Sequence, residues 1–76
     1  MIRELDSVVL CRDLSEYDLK KGDIGVVVHR YKNGNVYEVE FVTGEGKTVA
    51  VVTLTNDDIR LMQAQEILHA RELASA

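Results

Sequence analysis

Three side chains in this 76-residue chain have the reactivity for nucleophilic or metal chemistry: Cys11, His29 and His69. A thiol nucleophile needs an imidazole beside it and a carboxylate to orient the ring. Cys11 would meet that need only if the fold carried a distant histidine to it. Its parity with Val9 in an expected strand favours a small buried hydrophobe instead. A zinc site needs ligands at a closing spacing, such as paired Cys or His residues, and neither histidine nor Cys11 has such a neighbour. The chain contains no Gly-x-Gly-x-x-Gly, P-loop or His-Glu-x-x-His. Gly44-Glu45-Gly46 reads as a turn, because no helix follows it to cradle a phosphate. The expectation is a protein that is not an enzyme, with no catalytic, cofactor-binding or metal residues and no evident small-molecule substrate.

Two charged constellations and one apolar stripe remain. Asp13, Glu16 and Asp18 surround Tyr17 in a long connection, an acidic loop of the kind that faces a partner. Polyproline capture is disfavoured, since there is no tryptophan and aromatic residues are only 5%. Lys20, Lys21, Arg30 and Lys32, with Tyr31 among them, would form a local basic patch if they met at one end of the fold. Such a patch binds RNA through phosphate contacts and stacking. The net charge of −4 disfavours binding by bulk phosphate attraction, so nucleic acid is the second choice of partner. Near the end of the chain, Ala64, Ile67, Ala70, Leu73 and Ala74 recur at roughly helical spacing.

The elements that must position these residues are mostly strands. Hydrophobic residues are 46% and charged residues 29%, a globular balance. Valine-rich runs predict strands over residues 7–12, 23–31, 36–42 and 48–54. In the third, Tyr37, Val39 and Phe41 alternate with Glu38 and Glu40, the period of a half-buried strand. Asn33-Gly34 suits the tight hairpin before it, and the glycines at 44 and 46 suit a second hairpin. Val26-Val27-Val28 and Val49-Ala50-Val51-Val52 predict strands covered on both faces, by the tail or by a second protomer. Thr55-Asn56-Asp57-Asp58 predicts one 3-10 turn, followed by a brief strand at residues 59–62. The Ala-, Glu- and Gln-rich segment 63–74 favours helix, although Ile67, His69 and Arg71 also alternate with Leu68 and Ala70.

This order predicts a mainly β fold: a small SH3-like, five-stranded, partly open barrel with a short 3-10 turn and a helical or extended C-terminal tail. Residues 1–62 would form the barrel, and residues 63–76 would pack on it or on a partner. No run of about 18 apolar residues is present, so no membrane span is expected. The single cysteine points to a cytoplasmic setting.

Several segments resemble the short bacterial proteins of the family named domain of unknown function 4926. They are Glu4-Leu5-Asp6-Ser7-Val8-Val9-Leu10, Leu19 to Val28, Val36 to Val42, and Ile67-Leu68-His69-Ala70-Arg71-Glu72-Leu73. The resemblance implies a compact, largely β, SH3-like protein, and a toxin–antitoxin-like pairing with a neighbouring small gene. It supplies no catalytic or binding residues. The stretch from Lys20 to Val26 is also similar to the loop-to-strand entry of ribosome- and transcription-associated SH3-like domains.

The function expected first is therefore a non-enzymatic protein–protein interaction module, an antitoxin-like partner of a neighbouring protein or a self-associating one. Its contacts are assigned to Ile67, Leu68, Ala70 and Leu73, and then to Asp13, Glu16, Tyr17 and Asp18. The alternative is an RNA- or ribosome-associated regulator using Lys20, Lys21, Arg30, Tyr31 and Lys32.

Overall fold

A computed structural model describes residues 1–73. Five strands form one antiparallel sheet: β1 (Ser7–Leu10), β2 (Ile24–Arg30), β3 (Val36–Val42), β4 (Thr48–Thr55) and β5 (Ile59–Leu61). Their order across the sheet is β4-β3-β2-β1-β5, so the meander β2-β3-β4 continues into β1, and β5 returns to lie beside β1. Among the described residues β4 and β5 do not pair, and the sheet is open, not closed into a ring.

Alternation builds the core. Tyr37, Val39 and Phe41 are buried, and they stand opposite Leu54, Val52 and Ala50 of β4. Val8, Leu10, Val27 and Ile59 join the same cluster from the other strands, and Leu14 and Leu19 close it from the β1–β2 connection. Gly34 adopts φ +76° in the β2–β3 turn, where its N–H donates to the Tyr31 carbonyl at 2.9 Å. That left-handed backbone is cheap for glycine and costly for a residue with a side chain.

Tyr37 ties two turns together. Its buried hydroxyl lies 2.9 Å from the Gly34 carbonyl and 2.8 Å from Asn56 Oδ1, and its one proton serves either acceptor. Asn56 Nδ2 in turn donates to Asn35 Oδ1 at 3.0 Å. Tyr37→Phe should lower the free energy of unfolding by about 1 kcal/mol, because the one neutral hydrogen bond that the hydroxyl donates is lost. Urea titration checks this; an unchanged midpoint would mean that water replaces the hydroxyl at no cost.

Several expectations are corrected. The 3-10 turn lies at Ser15–Tyr17, inside the β1–β2 connection. Residues 55–58 form a tight turn instead, with Asp58 N–H donating to the Thr55 carbonyl at 2.9 Å while the Asp58 carboxylate accepts from the Thr55 amide at 3.0 Å. β1 ends at Leu10, which leaves Cys11 outside the strand and exposed. Strand β4 is covered on one face only: Val52 and Leu54 are buried, whereas Val51 is 52% exposed. In β2 Val28 follows the buried Val27 and faces solvent by alternation, and a bulge between Val27 and His29 sets His29 opposite Glu38 on the same outer side.

The tail is not helical. Over residues 63–73 it makes one turn and then runs on without regular secondary structure. Ala74, counted in the expected helical stripe, and residues 75–76 of the expected tail lie outside the described residues.

Candidate functional site

The tail is held to the sheet by one buried carboxylate. Asp23 precedes β2 and is 8% exposed, the one buried charged residue among those described. Its Oδ2 accepts the Lys20 N–H at 2.9 Å, closing the turn that feeds β2. Arg71 reaches it with two prongs: Nε donates to Oδ1 at 2.8 Å, and a terminal nitrogen donates to Oδ2 at 2.5 Å. His69 Nε2 stands 3.1 Å from Oδ1. A fork of two parallel N–H bonds to one carboxylate is among the strongest polar contacts a side-chain pair makes.

The backbone conformation follows from this chemistry. His69 and Arg71 are two residues apart, and an extended chain points such residues to the same side. A helix would rotate them to different faces, so helical propensity loses to the shared anchor.

Burial acting alone would raise the Asp23 carboxyl. The hydrogen bonds from Arg71 and the Lys20 amide, the Arg71 charge and the bond to His69 outweigh it and hold the group below the usual carboxylate range. Upstream, the Arg60 guanidinium grips Glu66 with bonds of 2.8 and 2.7 Å, and the Gln63 amide caps the same carboxylate. These contacts push the Glu66 carboxyl down to about 2. The tail is thus fastened at Glu66 and again at His69 and Arg71.

Between these fastenings the tail bridges two hollows. One, of about 360 Å³, lies between His69–Leu73 and the β3–β4 hairpin, with Phe41, Val42 and Val49 on its wall. The other, of about 190 Å³, is bounded by Val9, Ile24, Met62 and Ile67. Val9 points away from the main core, and it is buried here beneath the tail.

The residues assigned to partner binding fall into two groups that Arg71 joins. Its terminal nitrogen also donates to the Asp18 carbonyl at 2.9 Å, linking the tail to the acidic loop. Ile67 is 92% exposed and Leu68 69% exposed, while Leu73 is at the margin of exposure and Ala70 lines the larger hollow. In the loop, Asp13 Oδ1 accepts the Lys21 N–H at 2.8 Å, Glu16 is exposed, and Tyr17 shows part of its ring to solvent. Asp18 ends the 3-10 turn at φ 60°, with its Oδ2 buried and without a partner among the described residues.

The basic residues do not meet. Lys20 and Lys21 precede β2, and Arg30, Tyr31 and Lys32 follow at its far end. Seven residues of strand separate the two groups by about 20 Å. Tyr31 donates its hydroxyl to Glu38 at 2.6 Å and takes the edge of the His29 ring, so it is occupied on the sheet.

The reactive side chains are also dispersed. His29 lies 3.6 Å from Glu4, His69 is on Asp23, and the Cys11 thiol points to the Val9 carbonyl. Among the described residues no group of three or more His, Cys, Asp or Glu side chains is placed to hold a metal ion. No helix is long and apolar enough to cross a membrane.

Sequence reasoning missed Asp23, His69 and Arg71 as a unit. Lys20-Lys21-Gly22-Asp23 reads locally as a turn, and Arg71 lies 48 positions away. The alternation of Ile67, His69 and Arg71 was the one available signal.

Neither the comparison with curated proteins nor that with solved structures returned a match. The family described as a domain of unknown function (DUF4926) matches residues 4–61, which run from the entry to β1 to the end of β5. The tail fastening lies just beyond that span, while Asp23, which receives it, lies inside. By this match over most of its length, the chain belongs to the DUF4926 family.

Proposed function

We propose that the protein is a non-enzymatic protein-interaction module, an antitoxin-like cytoplasmic partner of a neighbouring protein, with its C-terminal segment as the binding element. The observation that carries this reading is the exposure of Ile67 and Leu68, 92% and 69%, on a segment fastened at both sides of them. Two apolar side chains displayed on an ordered segment lose little conformational freedom on docking, which favours binding. The acidic loop beside them and the net charge of −4 favour a partner with a basic surface. The order β4-β3-β2-β1-β5, with the fifth strand returning to the first, supports an SH3-like, partly open barrel as the scaffold.

The test is the double variant Ile67→Asp, Leu68→Asp, compared with the wild type by affinity capture from a nuclease-treated native extract. A protein partner should be retained by the wild type and lost by the variant. Both side chains are exposed, so the variant should unfold at the wild-type temperature. Retention of the same protein by both forms, or of no protein by either, would reject the reading; retention that disappears with nuclease would transfer it to RNA.

A further inference from the structure

Among the described residues no strand pairs with the outer edge of β4. At eight residues β4 is the longest strand, and it borders the sheet. From Thr48 to Thr55 it carries no charged residue and no proline. Exposed edges are ordinarily blunted by lysine, proline, short length or a cover, because their unpaired N–H and C=O groups template further strands. Among the described residues the run from Ala50 to Thr55 carries none of these devices; a bulge at Val49, where Phe41 pairs with Ala50 and Val42 with Thr48, marks its start.

The ladder shows which groups are free. Asn56 N–H donates to the Asn35 carbonyl, in the same register that pairs Thr55 with Val36 and Val51 with Glu40. Hydrogen-bonded and non-hydrogen-bonded pairs alternate along an antiparallel ladder. The N–H and C=O groups of Val51, Thr53 and Thr55 therefore point away from β3. Those of Thr55 are taken by Asp58 in the following turn, which agrees with this phase. Among the described residues Val51 and Thr53 keep theirs unused, in the middle of the strand.

We propose that this edge pairs antiparallel with β4 of a second copy of the chain, centred on Val52, joining two sheets into one. The occupant is a second copy because the edge is self-complementary. With Val52 facing its counterpart, Val51 of each copy lies opposite Thr53 of the other, and each pair exchanges both of its free N–H and C=O groups. On the core side, Ala50 comes beside the partner's Leu54. On the outer side, the exposed Val51 gains the partner's Thr53 as a neighbour.

Charge agrees with this arrangement. Lys47 precedes the strand and Asp57 lies in the turn after it, so antiparallel pairing sets Lys47 of one copy at the same end of the seam as the partner's Asp57. A parallel arrangement would set Lys47 against Lys47 and Asp57 against Asp57. The pairing does not rest on the tail reading, since its central residues, Val51 to Thr53, line neither hollow beneath the tail.

Sedimentation velocity from micromolar to millimolar concentration tests the proposal. The wild type should pass from monomer to dimer as concentration rises. Val51→Pro removes an N–H that β3 does not use, and edge strands tolerate proline where the N–H faces solvent. Val51→Lys sets two cations near the axis and serves if the proline variant fails to fold. Either should weaken dimerisation by about tenfold or more, the equivalent of about 1.4 kcal/mol. Ile67→Asp, Leu68→Asp should dimerise like the wild type. A wild type that stays monomeric throughout, or Val51 variants that dimerise undiminished, would overturn the proposal. Loss of dimer in the tail variant alone would place self-association at the tail and overturn it equally.

Discussion

Gly25→Ala is expected to lower the free energy of unfolding by about 2–3 kcal/mol, the upper part of the range for overpacked cores. A β-carbon built on Gly25 would lie 2.6 Å from Val39 Cγ1, 2.8 Å from Phe41 Cε1 and 3.0 Å from the Glu40 carbonyl oxygen. The first two belong to buried side chains of β3, and the third is backbone held in the β2–β3 ladder. No rotamer of one residue relieves all three, so the strands must separate or the core must shift. In a domain of this size the cost corresponds to a fall of roughly 10–20 °C in melting temperature. Adding Val39→Ala should restore part of the loss, because the truncation opens the closest of the three contacts. A double-mutant cycle by urea unfolding measures that coupling. Strictly additive effects, or a single-variant cost below about 0.5 kcal/mol, would show that the strand adjusts freely at this point.

Asp23→Ala should cost about 2–4 kcal/mol, since it strands the mostly buried Arg71 guanidinium and opens the turn at Lys20. Arg71→Ala should cost less, because Asp23 then keeps the Lys20 amide and His69. Both variants should free the tail to proteolysis ahead of global unfolding, and Asp23→Ala should also loosen hydrogen-exchange protection at the start of β2. The acid limb gives a second readout. The folded Asp23 carboxyl is held below its unfolded value, so its contribution is fully present above the ordinary carboxylate range. It is lost as pH falls through that range towards the folded value. The stability difference between wild type and Asp23→Ala should therefore shrink on acidification. A difference that stayed constant down to the acid transition would place the effect in packing, not in the ion pair.

The strands were legible because their signals are local. Tyr37, Val39 and Phe41 alternate with two glutamates, and Asn33-Gly34 sets the turn before them, so β3 and its hairpin could be read within a dozen residues. The covering of β4 was misjudged because four consecutive apolar residues do not say how many faces are covered; Val51 is small enough to stand in solvent. The β2 bulge at Val28 leaves no mark in a run of three identical residues. The tail's conformation, which the sequence leaves open between helix and extended chain, turns on a contact far away in the chain. Its alanines, glutamates and two glutamines favour helix by propensity, and propensity is a small term beside a bidentate pair with Asp23. Cys11 was placed in the strand by parity, but the chain turns after Leu10 as Arg12 leaves to meet Asp58 at 2.7 Å. Contacts between residues 23 and 71, or 12 and 58, have no signature within either neighbourhood.

The position of β1, between β2 and β5, bears on biosynthesis. Ser7–Leu10 emerges from the ribosome early, yet one of its two neighbours is the last strand to be made. Until Ile59–Leu61 has cleared the exit tunnel, β1 presents an open flank, and Leu10 lacks its partner Ile59. Long-range closures of this kind slow the final step relative to hairpin formation. The nascent chain is thus a meander with a provisional border, which β5 completes once it reaches β1.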